Sequence, residues 1–157
     1  MVNNILIFRT DRIGDLLITC PAIISIKNYL EDTKITLVAS EQNYAYAKTL
    51  GIFDKIFIFP QSSLVKKIKL IHKLSKINFN YMIAFDGKNR SIISSIFIRS
   101  QYKIAIITEK KLSMLWSLLS IKFINDEKTN LIELFQKSLN YCKIKKNINN
   151  FDFLKNK

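Results

Sequence analysis

The chain has 157 residues, 48% of them hydrophobic, with 25 Lys and Arg against 12 Asp and Glu and a formal net charge of +13. That length suits one domain, and the apolar content excludes a disordered chain. No run approaches the ~18 apolar residues of a spanning helix, and Arg9, Asp11 and Arg12 interrupt the first apolar run too early for a secretory signal.

The expectation is therefore a cytoplasmic protein with reduced thiols. Its charge favours an anionic partner. Only four of the 25 cations are arginine, however, and Ile, Asn and Lys dominate throughout, as AT-rich codon usage alone would produce. Without a Lys/Arg block or aromatic residues interleaved with basic ones, specific nucleic-acid binding is not expected. Cys20 and Cys142 each stand alone, so no zinc site is expected. His72, in "KLIHKLSK", reads as a solvated helix position, and no Gly-x-Ser-x-Gly elbow accompanies it.

In chain order, residues 4–9 ("NILIFR") read as a strand buried on both faces. Residues 14–30 have helical spacing, with a kink or restart expected near Thr19 because Pro21 lacks an N–H. Residues 34–39 form a second strand, 41–49 a short helix ended by Gly51, and 55–59 a third strand stopped by Pro60. Residues 62–76 make a basic amphipathic helix with Leu64, Ile68, Ile71 and Leu74 (or Val65) on one side. A fourth strand at 80–85 ends in Asp86-Gly87, a helix covers 89–98, and a fifth strand covers 102–107. Residues 112–121 read as a helix, and 130–142 as a firmer one, capped by Asn130 with Glu133. Strand and helix alternate without a linker, which predicts an α/β domain: a mainly parallel, Rossmann-like sheet with helices on both faces and the first strand central. Residues 1–146 form that domain, and 147–157 are a polar tail or a truncated interdomain lead-out.

The loop after the first strand, Arg9-Thr10-Asp11-Arg12-Ile13-Gly14-Asp15, carries the functional signal. In an open parallel sheet, ligands bind outside the carboxyl ends of the strands, so charges there are expected to face a cleft. Gly14 would let the chain turn tightly and a ligand approach the backbone. Asp15 falls in the first helical turn, where the dipole favours its ionised form; it is either a helix-start residue or a base able to take a proton from a hydroxyl. Neither GxGxxG nor GxxxxGK[ST] occurs.

"ILIFRTDRIGDLLITCPAI", "KITLVAS" and "LGIFDKIFIF", in that order, resemble the N-terminal half of glycosyltransferase family 9, the lipopolysaccharide heptosyltransferases. Arg9, Ile13-Gly14-Asp15 and Thr19-Cys20-Pro21-Ala22 match its opening motif. Gly87, Arg90 and Ser91 match its Gly-x-x-Lys/Arg-Ser turn, and "NLIELFQKSLNYCKI" is similar to the helix closing its first domain. The turn departs from the family's usual pattern in reading Phe85-Asp86-Gly87. The resemblance implies one half of a GT-B enzyme and an inverting, metal-free transfer from a nucleotide-sugar, ADP-heptose, as substrate, with no other cofactor. Asp15 stands at the position of the catalytic base. Arg9, Thr10, Arg12, Gly14, Gly87, Lys88, Arg90 and Ser91 would contact substrate, with merely solvated roles equally open to Arg12 and Lys88. The implied partners are a glycan or lipopolysaccharide core acceptor, a missing donor-binding domain or subunit, and peripheral contact at the inner membrane face. The competing reading is a non-catalytic α/β module, or a truncated gene product, that binds an anionic ligand or a partner.

Overall fold

The computed structural model describes residues 2–107 and 121–124, together with the helical positions Glu133, Phe135, Lys137 and Asn140. Strand β1 (Asn3–Arg9) uses the Ile-Leu-Ile-Phe run, buried on both faces as a central parallel strand must be. Around it stand β2 (Thr33–Ala39), β3 (Lys55–Ile58), β4 (Phe79–Ala84), β5 (Ser100–Ile107) and β6 (Ile121–Ile124). The six strands are ordered β3-β2-β1-β4-β5-β6, and each described pairing is parallel. β6 adds a strand to the five read from sequence. It takes in Ile121, which had been assigned to a helix; residues 112–120 of that assignment lie outside the described residues, as do Asn130 of the capping box and the tail 147–157.

Four helices have complete boundaries: α1 (Ile13–Tyr29), α2 (Glu41–Leu50), α3 (Leu64–Ser75) and α4 (Asn89–Phe97). Ser40 caps α2 by accepting from the Asn43 N–H, and Ser63 caps α3 by accepting from Lys66. α2 ends at Gly51, whose φ of 67° is the left-handed conformation glycine adopts freely. No restart occurs at Pro21, because α1 is one element through it. Thr19 and Cys20 bond the carbonyls of Asp15 and Leu16 within the same helix, and burial against the sheet outweighs the cost of the missing N–H.

Strand alternation divides the core. Ile5, Ile7, Ile35, Leu37, Ile83 and Phe85 face α1, through Leu16, Cys20, Ile23 and Ile26, and also Phe135. Phe135 meets Phe85 edge-on at 5.0 Å between ring centroids. Leu6, Phe8, Val38, Met82 and Ala84 face the opposite way, against Leu70 and Leu74 of α3 and Ile92 of α4. α4 turns Ser91, Ser94 and Ser95 inward, and their hydroxyls are satisfied locally at Asp86, Arg90 O and Ile92 O. The helix α3 is only partly committed to this side. Of the apolar residues read along one side of 62–76, Leu74 is buried, together with Leu70, while Leu64, Val65 and Ile68 are exposed.

Candidate functional site at the strand-order reversal

The chain winds outward from β1 through β2 to β3 and then crosses back to β4 on the other side of β1. Connections leaving β1 and β4 therefore run to opposite faces of the sheet, which is where open α/β sheets bind ligands at their carboxyl edge. The register holds the two loops level: Phe8 stands opposite Ala84, and the Phe85 N–H donates to Phe8 O at 3.1 Å.

Arg9, the last residue of β1, is only 3% exposed. Its Nη1 donates to the Phe85 carbonyl. Its Nε lies 3.2 Å from Asp11 Oδ1 and its Nη2 lies 3.7 Å from Asp15 Oδ1. The first approach is a charge contact without hydrogen-bond alignment, so neither atom has a hydrogen-bond partner among the described residues. Burial pushes the Asp11 carboxyl up to about 6; Arg9 opposes that rise, while Asp86 and Asp15 add to it. Asp15 is the most open of the three carboxylates, with its side chain 35% exposed, in the first turn of α1.

On the β4 side, Asp86 is the hub. Its Oδ2 accepts from the Thr10 N–H at 3.2 Å, the Thr10 hydroxyl at 2.5 Å and the Ser91 hydroxyl at 2.8 Å, and its Oδ1 accepts from the Lys88 N–H at 3.2 Å. Arg90 completes the set from α4, donating from Nε to Thr10 Oγ1 at 2.8 Å and from Nη2 to Thr10 O at 2.6 Å. Its guanidinium lies over the Phe59 ring, 5.7 Å from the centroid. Since Thr10 Oγ1 donates to Asp86 and accepts from Arg90, the hydroxyl is fixed in orientation. On the α2 side, the buried Asn43 amide donates to Arg9 O and Asp11 O at 3.3 and 3.1 Å, and the Ser40 hydroxyl donates to Asp11 O at 3.1 Å. These bonds hold the loop after β1 against the start of α2.

The structure brings Arg9 and Asp15 into one cluster and Thr10, Arg90 and Ser91 into another, adjoining at Phe85-Asp86, and corrects three details. Arg9 does not face a cleft: its charge is met internally by Asp11 and Asp15. Thr10 and Ser91 are buried, with hydroxyls committed to Asp86. Gly14 makes no tight turn. It is helical, its φ is not positive, and a Cβ there would meet nothing within 4 Å, so only the open approach remains of that expectation. Gly87 does take a left-handed φ, of 55°, at the bend before α4. Arg12 and Lys88 are exposed and supply the N-cap positions of α1 and α4; neither side chain forms a cap bond. Sequence reasoning gave no role in the site to Asp86, Asp11, Ser40 or Asn43. Asp86 had a signal, a carboxylate directly after a buried strand that must find partners; Asn43 had none.

An all-parallel sheet with this strand order and helices on both faces is a Rossmann-like α/β fold. Solved structures with the same fold are glycosyltransferases of the GT-B kind. E. coli heptosyltransferase WaaC, in complex with ADP-2-deoxy-2-fluoro heptose, superposes with a TM-score of 0.69 at 17% identity over 87% of this chain and 48% of its own. The glycosyl transferase family 9 protein of Veillonella parvula gives a TM-score of 0.73 at 14% identity, covering 95% of this chain and 44% of its own. E. coli ADP-heptose lps heptosyltransferase II gives 0.68 at 12% identity, covering 84% and 39%. The chain thus spans less than half the length of each. No protein-family model and no curated protein matches it by sequence.

Proposed function

We propose that this chain is the acceptor-side half of a heptosyltransferase-type glycosyltransferase, with Asp15 as general base. One observation carries the reading: a partly open carboxylate, 3.7 Å from a buried guanidinium, stands at the strand-order reversal of a fold shared with heptosyltransferases. An acceptor hydroxyl would give its proton to Asp15 as its oxygen bonds to the anomeric carbon of a nucleotide-activated heptose. The bond from that carbon to the diphosphate would break in the same displacement. Arg9 holds Asp15 without a close hydrogen bond, which leaves the carboxylate lone pairs available to the hydroxyl. Arg12 and Lys88, exposed on the rim, suit the phosphates of a lipopolysaccharide core. Two solved structures of E. coli heptosyltransferase WaaC carry ADP-2-deoxy-2-fluoro heptose and ADP, in keeping with a nucleotide-sugar donor.

Positioning two substrates can supply ~7–11 kcal/mol of rate enhancement, and much of that needs a donor-binding surface. The chain alone should therefore be nearly inactive with ADP-heptose and a core acceptor. Completed by a donor-binding domain, through fusion or as a partner, it should transfer, and Asp15→Asn should lower kcat by ~100-fold or more with little change in KM. Full activity in completed Asp15→Asn would remove Asp15 as base, and robust transfer by the chain alone would end the half-enzyme reading. The competing reading, a non-catalytic module, predicts saturable binding of a phosphorylated glycan with no transfer under either condition.

A further inference from the structure

The exposed side of α3 has two parallel stripes. Leu64, Ile68, Ile71 and Ser75 recur at helical spacing along one, and Lys66, Lys69, Lys73 and Lys76 along the other. Leu64 is 72% and Ile68 66% exposed, although leucine and isoleucine are ordinarily buried. α4 extends the apolar stripe with Ile93, Ile96 and Phe97, the last 60% exposed. A groove of about 320 Å³ lies between the helices, lined by Ile68, Ile71, His72, Ser75 and Phe97. No described residue covers this face. Both helices begin at the sheet edge that carries the candidate site.

We propose that the α3–α4 face docks the protein on the surface of an anionic lipid bilayer. Charge complementarity decides the occupant. From Lys55 to Thr108 the sequence has a single acidic residue, Asp86, against ten Lys and Arg. Asp86 is buried in the site network and cannot repel an anionic surface. Protein interfaces are depleted of lysine and anchored by tyrosine, tryptophan and arginine, whereas the α3 stripe is lysine beside aliphatic side chains. Lipid surfaces accept that combination: the apolar stripe enters the headgroup boundary and the lysine stems lie along it with their ammonium groups at the phosphates. The docking requires no transfer reaction and stands apart from it.

The test is co-sedimentation of the full chain with phosphatidylglycerol/phosphatidylethanolamine vesicles and with neutral phosphatidylcholine vesicles. Binding should be strong to the first, weak to the second, and reduced by salt. Leu64→Glu/Ile68→Glu and, separately, Lys66→Gln/Lys69→Gln should each weaken it at least tenfold, whereas Lys27→Gln/Lys48→Gln, on α1 and α2 across the sheet, should change it less than twofold. All these positions are exposed, so circular dichroism and thermal melting should match the wild type. Absence of binding to the anionic vesicles overturns the proposal. So does an equal loss from both lysine pairs, which would mean diffuse charge alone. Concentration-dependent dimerisation abolished by Leu64→Glu/Ile68→Glu would overturn it in favour of a second copy, and stoichiometric capture of a soluble partner by the same face would assign it to protein.

Discussion

Replacing Asp86 with alanine should be the most damaging single change at the candidate site. The carboxylate accepts four hydrogen bonds from Thr10, Ser91 and Lys88 and joins the end of β1 to the start of α4. Alanine strands the buried Thr10 N–H, the Ser91 hydroxyl and one partner of the Thr10 hydroxyl. Buried groups left unsatisfied cost about 1–3 kcal/mol each. Some relaxation and water entry are inevitable, so the expected loss is about 3–5 kcal/mol, a large part of the ~5–15 kcal/mol that holds a domain together. Asparagine keeps one acceptor oxygen for Thr10 and Ser91 but turns an amide toward the Lys88 N–H, so it should cost roughly half as much. Urea unfolding at neutral pH, with equal m-values for the variants, gives these differences directly. If Asp86→Ala lies within about 1 kcal/mol of the wild type, the smallest cost of one stranded group, Asp86 does not hold the two loops together and the network reasoning fails.

Asp11 gives a prediction of opposite sign. Its carboxyl is raised from 3.8 to about 6 in the fold, so the native state binds the proton more tightly than the unfolded chain. The stabilisation from protonation is complete below about pH 4 and is lost as the pH rises through about 6. Asp11→Asn should therefore gain about 1–3 kcal/mol over the wild type at pH 7.5, and the gain should shrink to a small fraction at pH 4 in paired denaturant melts; a pH-independent difference would contradict it. Cys20, buried and raised to about 12 by burial, should resist iodoacetamide in the native protein and react on unfolding, read by peptide mass spectrometry. Gly14→Ala should raise stability by about 0.5–1 kcal/mol, since the site is helical and open. The same variant should weaken acceptor binding in the completed enzyme if a ligand approaches there, and unchanged KM would show that none does.

The strands were legible because a parallel sheet writes each as a short apolar run: "NILIFR" differs from β1 by one residue at its start, and "NYMIAF" from β4 by one residue at each end. Asp15 was legible as a first-turn carboxylate for a similar reason: a strand, a polar loop and a helix start are local signals. What Arg9 does was not, because its partners come from three places in the chain, Asp11, Asp15 and the Phe85 carbonyl. Asn43 reaches back from α2 over thirty residues to the same loop. Which apolar residues of α3 are buried was not legible, for a physical reason. Periodicity reports that a helix has an apolar side; it does not say whether this protein or another surface covers it.

The central position of β1 also sets an order of events for folding. Ile5 pairs with Ile35 on one edge and with Tyr81 on the other, closures of about 30 and 76 residues. Loop-closure entropy separates them by only about 0.8 kcal/mol, so equilibrium hardly distinguishes the two edges. Synthesis does. At roughly 5–20 residues per second, β2 emerges seconds before β4. During that interval the Ile-Leu-Ile-Phe edge of β1 has one neighbour and one open row of backbone donors and acceptors, the arrangement from which strand-to-strand aggregation starts. Slow translation across α3, or a variant that delays β4, would lengthen that exposure without altering a contact in the finished protein. The yield of soluble chain can then change while its stability, once folded, does not.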